Sequence, residues 1–283
     1  LQSYHEDIKR RLASEKMGLW SAGMMRMAMA YPSPYNIGSS SLGFQRIIGL
    51  LRESGVSAER AFLPEDPEGL ARRSQTILTY ETKSPLGSMP LIGISLSYEL
   101  EIMGLVRMLK GAGIPPLRRD RGPQHPKILL GGPITFSNPF TAAPFVDAML
   151  IGEADHTIVP AVHAFFDNPK TWLDKISLLD GGYVPERDGL AMPAVAKCPD
   201  TMLPAAGHYT SPEAELSDMF LIEGERGCHR QCSFCVMRRG SAGGMRLVTV
   251  DKLLSMIPTD HKKVGLVGAA ISDHPKLPDL LQS

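Results

Sequence analysis

Pro90-Leu-Ile-Gly-Ile-Ser95, then Tyr98-Glu-Leu-Glu-Ile-Met-Gly-Leu-Val-Arg-Met-Leu-Lys110, then Lys127-Ile-Leu-Leu130 form the stretch that decides the fold. The outer two segments are short, continuous apolar runs, the pattern of strands covered on both faces. The middle segment has helical spacing and is ended by Gly111 and Gly113, with Pro115 beyond. Strand, helix and strand in that order make one unit of a parallel sheet.

The same alternation extends in both directions. Met25–Ala30 is a first strand candidate and runs into the turn-rich loop Tyr31-Pro-Ser-Pro-Tyr-Asn-Ile-Gly38. Ser39–Ser41 can cap a helix whose apolar positions are Leu42, Ile47, Ile48, Leu50 and Leu51. Ala58–Leu63 is the second strand, Pro90–Ser95 the third and Lys127–Leu130 the fourth, broken by Gly131-Gly132-Pro133. Val146–Ile151 is the fifth, followed by Gly152-Glu153 and a helix from Asp155 to Phe166. The expected fold class is therefore α/β, with a Rossmann-like, doubly wound parallel sheet over residues 25–167. Residues 1–24 read as an amphipathic lead-in. Residues 168–219 read as a connector, punctuated by Gly181-Gly182, Pro185, Pro193, Pro199 and Pro212. Met219–Glu223 opens a new apolar strand, and residues 220–283 begin a second region.

Ligands of such sheets bind in the loops at the carboxyl ends of the strands. Here those loops are Tyr31–Ser41, Ser95–Tyr98, Gly131–Thr135 and Gly152–Asp155. Any one of them is also what a strand end needs as a turn. Four on one edge point to a ligand without identifying it.

Charge and composition narrow the function classes. The 283 residues carry 30 basic and 30 acidic side chains, 43% hydrophobic and 21% charged residues. That excludes a disordered chain, and the neutral balance gives no strong nucleic-acid signal. No run approaches the ~18 apolar residues of a membrane span, and the charged segment Leu1–Lys16 is not a secretory signal. The reading is of a cytoplasmic chain with no membrane partner.

The strand Met219–Glu223 leads into Glu225-Arg-Gly-Cys228-His-Arg-Gln-Cys232-Ser-Phe-Cys235. Three of the four cysteines fall on this one loop, with spacing C-x3-C-x2-C. Such clustering reads as metal binding before disulfides. Three thiolates suit three irons of a cubane cluster and leave one metal position open. Structural zinc is the alternative. It normally takes four ligands, and His229 sits awkwardly beside Cys228. The fourth cysteine, Cys198, reads as a plain thiol.

This spacing after an apolar strand, with Phe234 before the last cysteine, closely resembles the radical S-adenosylmethionine (SAM) enzymes. The resemblance implies a [4Fe-4S] cluster on Cys228, Cys232 and Cys235. SAM would occupy the open iron, with Phe234 near its adenine. It also implies a (β/α) partial TIM barrel, an electron donor such as a flavodoxin or ferredoxin, and a 5′-deoxyadenosyl radical. Lys263–Val267 would be the second barrel strand, leading into Gly268-Ala-Ala270. In many of these enzymes a Gly-Gly-Glu-like motif there binds the methionine amino group. Only Gly268 matches it, the acidic position is Ala270, and Gly268 also reads as a strand-end turn.

The first domain resembles the cobalamin-binding domain of cobalamin-dependent radical SAM enzymes. The resemblance places Ser95, Ser97, Gly131, Gly132, Pro133, Gly152 and Glu153 near the corrin and its tail. The Asp-x-His-x-x-Gly motif that supplies a lower histidine ligand is absent, and the first loop holds Tyr31, Tyr35 and Asn36 instead. Cobalamin would bind without that ligand, or the domain keeps the fold and binds no corrin. Methylthiotransferases of this class need further cluster cysteines in the first domain, and none precedes Cys198. A set of poorly characterised radical proteins is similar at Tyr31–Gly38, Leu42-Gly-Phe-Gln45 and Gly265–Pro275.

The implied reaction is modification of an unreactive carbon, with methyl transfer through methylcobalamin as its leading form. A cobalamin-independent radical rearrangement or oxidation is the alternative within enzymes. A module that binds cobalamin or a cluster for sensing or electron transfer is the alternative outside them. Residues 220–283 hold about two βα units at about 30 residues each, where the implied barrel needs about six. The expectation is a fragment carrying only the start of the radical SAM core.

Overall fold

The computed structural model describes residues 4–17, 20, 22–191, 193–230, 232–237 and 244–282. Five parallel strands build the expected sheet: β1 (Arg26–Tyr31), β2 (Ser57–Phe62), β3 (Leu91–Ser95), β4 (Lys127–Gly131) and β5 (Ala148–Leu150). A sixth, β6 (Gly182–Tyr183), pairs antiparallel with β5 and caps that edge. The sequence reading has no strand there. Two residues carry no periodicity, and the connector's Gly181-Gly182 reads as punctuation.

The order is β2-β1-β3-β4-β5-β6. Period-2 alternation separates two cores. Met27, Met29 and Tyr31 of β1 face one side, and Ala28 and Ala30 the other. Helices α2 (Leu42–Glu53) and α4 (Ile158–Asp167) cover the first face through Phe44, Ile48, Leu51, Ala161 and Phe165. Helix α3 (Glu101–Gly111) covers the second through Leu105, Met108 and Leu109. Ser41 caps α2 by accepting the Phe44 N–H at 3.3 Å. The winding reverses between β1 and β3, where sheets of this order open a crevice for ligands.

The lead-in is more than an amphipathic start. Helix α1 (Tyr4–Ser14) buries Ile8 in the first core. Beyond it, Glu15 accepts two hydrogen bonds from the Arg60 guanidinium, both at 2.8 Å, and one from the Tyr35 hydroxyl at 2.7 Å. Arg60 also donates Nε to Glu81 at 2.6 Å and lies over the Tyr209 ring at 4.3 Å. Arg52 donates to the same carboxylate at 2.6 Å. Arg60 and Glu15 are wholly buried. Burial alone would lower the Arg60 pKa, but the two carboxylates raise it well above the ordinary arginine value.

The second region is smaller. Strand β7 (Phe220–Glu223) pairs in parallel with β10 (Val264–Val267). Between them lie the antiparallel pair β8 (Glu225–Arg226) and β9 (Arg246–Leu247), and helix α5 (Val250–Met256) capped by Thr249. Helix α6 (Leu277–Gln282) follows β10. Phe220, Ile222, Leu253 and Leu280 share a core with Cys198 and Leu203 of the connector. No helix among the described residues is long and apolar enough to cross a membrane.

Candidate functional site

A cavity of about 330 Å³ opens where the strands of the sheet end, on the face covered by α2 and α4. Its floor is apolar, formed by Met29, Gly93, Leu129 and Leu150. Ser95, Ser97, Gly131, Gly132, Pro133, Gly152 and Glu153 all line it. The structure thus gathers in one place the residues that the sequence scatters over three loops. Gly132 (φ +103°) and Gly152 (φ +101°) need their left-handed backbone, and a Cβ there would meet the carbonyl oxygens of Leu96 and Ala196 at 2.4 and 2.5 Å. Gly131 is different, because a Cβ there would point into open space.

The loops at the cavity mouth are cross-tied. Ser97 donates its N–H to Glu101 at 2.6 Å, and Ser33 donates its hydroxyl to the same carboxylate at 3.2 Å. The Tyr31 and Ser97 hydroxyls are 3.0 Å apart. Glu101 therefore joins the loop after β1 to the loop after β3 at the crevice.

The far wall comes from the second region, through Glu223, Arg226, Gly227 and Val267. Arg226 is its electrostatic centre. It donates to both oxygens of Glu223 at 2.6 and 2.8 Å, to Asp155 at 2.9 Å and to the Cys198 sulfur at 3.2 Å. Arg46 of α2 donates to the other Asp155 oxygen at 3.2 Å. Glu153 accepts from Arg246 and from the Cys198 N–H. Burial works to raise the Asp155 and Glu153 carboxyls, but these arginines outweigh it and hold both below the usual range. Burial, aided by Glu153 and Asp155, pushes the Cys198 thiol up to about 12, so it stays protonated and inert.

The cysteine loop leaves this wall. Cys228, Cys232 and Cys235 are free, half-buried thiols. The Arg230 N–H approaches the Cys228 sulfur at 3.4 Å, and the Cys235 N–H donates to the Cys232 carbonyl at 3.2 Å. Among the described residues, no three His, Cys, Asp or Glu side chains converge on a metal position. The donor set still fits an iron–sulfur cluster: three soft ligands free of disulfides within eight residues, with a backbone N–H already turned to the Cys228 sulfur. His229 faces Asp273 at 3.6 Å, and Arg230 forks onto Asp273 at 2.8 and 2.9 Å. Phe234 is 89% exposed and belongs to none of the cores. Gly268 lies against the Glu225 carboxylate, not against the cavity.

Residues 43–185, just over half of the chain, match the model of the family described as radical SAM proteins, N-terminal. The chain belongs to the radical SAM proteins. No curated protein matches the sequence. Solved structures that share the fold include two of the radical S-adenosylmethionine methyltransferase TsrM from Kitasatospora setae. The first holds tryptophan substrate and a SAM analogue (aza-SAM), at TM-score 0.56 and 10% identity. The second holds cobalamin and a [4Fe-4S] cluster, at TM-score 0.53 and 12% identity. Each match covers 87% of this chain and 48% of the TsrM chain, so the radical SAM chain spans about half the length of that neighbour.

Several residues of the site are not legible beforehand. Ser41, Gly43 and Arg46 line the cavity from the first turns of α2. In sequence they read only as a cap and a helix start. Arg226 and Glu225 flank the cysteine motif in plain sight, but their partners Asp155 and Ala270 lie on distant segments.

Proposed function

We propose that this radical SAM protein is the cofactor-binding part of an enzyme that modifies an unreactive carbon, with cobalamin-dependent methylation as the reaction. One observation carries the reading. The seven loop residues that resemble a corrin site share a single cavity with Arg226 and Gly227, the root of the cysteine loop. A corrin and a cluster would therefore be held on two sides of one wall.

When bound, a reduced [4Fe-4S] cluster and SAM supply a 5′-deoxyadenosyl radical, and cobalamin supplies the methyl group. The chain's own residues bind and shield. Cys228, Cys232 and Cys235 would hold the cluster as thiolates. Ser95, Ser97 and Gly131 would take the corrin or its tail, with Glu101 fixing the Ser97 backbone. The apolar floor excludes water from the reacting groups. An external one-electron donor such as a flavodoxin or ferredoxin is required.

Anaerobic reconstitution tests the reading. The expected result is about 4 Fe per chain and release of 5′-deoxyadenosine from SAM on reduction. One bound zinc without SAM cleavage would end the radical assignment. Incubation with hydroxocobalamin separates the corrin version from a domain that keeps the fold and binds none. Gly131→Leu fills open space with a side chain, and overpacking of about 1–3 kcal/mol corresponds to a roughly five- to 150-fold loss of corrin retention. Unchanged corrin absorbance in that variant would place the corrin elsewhere.

A further inference from the structure

Glu225 stands two residues past the end of β7, three before the first cysteine, and its side chain is buried. One carboxylate oxygen, Oε1, accepts the Ala270 N–H at 2.6 Å. The other, Oε2, is buried and has no partner among the described residues. The strand end opposite is shaped around this group. A Cβ on Gly268 would lie 2.5 Å from Oε1, so a side chain at 268 would evict the carboxylate.

The neighbouring cations are otherwise engaged. Arg226 is taken by Glu223 and Asp155, and Arg230 by Asp273. His274 lies 3.0 Å from the Val248 carbonyl through Nε2 and accepts the Lys276 N–H at Nδ1. A buried carboxylate oxygen without a donor is costly, and a ligand carrying N–H donors and positive charge removes that cost. The group lies where two parallel strands end, beside the cysteine loop.

We propose that Glu225 binds the α-ammonium group of S-adenosylmethionine, supplying from the strand before the cysteines the acid that position 270 lacks. Ala270 contributes its backbone N–H to hold the carboxylate, and Gly268 leaves the room for it. This assignment rests on the radical SAM reading proposed above.

The test is equilibrium dialysis of the cluster-loaded full chain with SAM and with the analogue whose α-amino group is replaced by hydrogen. Glu225→Gln keeps the acceptor for Ala270 and removes the charge. It is expected to weaken SAM binding by roughly tenfold or more, as for loss of a charge-assisted hydrogen bond. Binding of the deaminated analogue and iron content should stay unchanged. Gly268→Ala provides a second route, displacing the carboxylate without altering it, with the same selective loss expected. Equal losses for SAM and the analogue, or no loss in either variant, would overturn the assignment while leaving the radical reading intact. A cluster-loaded wild-type chain that binds no SAM would overturn both.

Discussion

Cys232→Ser is expected to take the reconstituted chain from about 4 Fe to almost none, since a serine hydroxyl is a hard, weakly acidic replacement for a soft thiolate. The three thiols act as a set. Two on a loop this short cannot retain a cubane against competing thiols in solution. The fold should not notice the change. Cys232 is half-buried on a surface loop and belongs to none of the apolar cores. Iron and sulfide assays read the first effect, and far-ultraviolet circular dichroism with a thermal melt reads the second. A Cys232→Ser chain that keeps its iron would remove the cysteine loop from the mechanism.

The second large effect lies far from any cofactor. Arg60→Ala would leave Glu15 and Glu81 buried opposite each other with their shared cation gone. Breaking a buried ion pair from one side costs about 3–5 kcal/mol. A domain of 5–15 kcal/mol total stability would lose a large part of it. At about 2–4 °C per kcal/mol for this size, the melting temperature should fall by roughly 10 °C. The N-terminal helix should loosen with it, because Glu15 ties that segment to the sheet edge beside the buried Ile8. Thermal melts followed by limited proteolysis near Ser14 would show both. A melt within about 2 °C of wild type would mean that the fold does not depend on this buried cation, against the cost expected of breaking a buried pair from one side.

The contrast between these two sites shows what the sequence makes legible. Apolar runs such as Leu91–Ser95 and Lys127–Gly131 announce buried parallel strands by themselves, and Gly131-Gly132 announces where the second of them ends. Strand β2 reads Ser-Ala-Glu-Arg-Ala-Phe, and its two charges are wholly buried. Nothing in a local window says where their partners are. Glu15 lies 45 residues before Arg60 in the chain, and Glu81 lies 21 residues after it. The same distance hides Arg226, whose partner Asp155 is 71 residues away. Backbone-driven features are local and can be read. Ion-pair networks are made by the fold and appear only with it.

That network bears on how such proteins can be taken apart and recombined. Arg226 and Arg246 belong to the region after the connector, and Asp155 and Glu153 to the loop after β5. Severing the chain within the connector separates these two carboxylates from these two guanidiniums, leaving Asp155 with Arg46 and Arg226 with Glu223. Each set would need fresh hydration where it now has a partner. The two regions are consecutive in sequence yet not interchangeable parts. A graft of the cysteine-bearing region onto another sheet domain would have to bring a matching acidic loop with it. The tether between the halves is covalent, but their compatibility is written in four charged side chains.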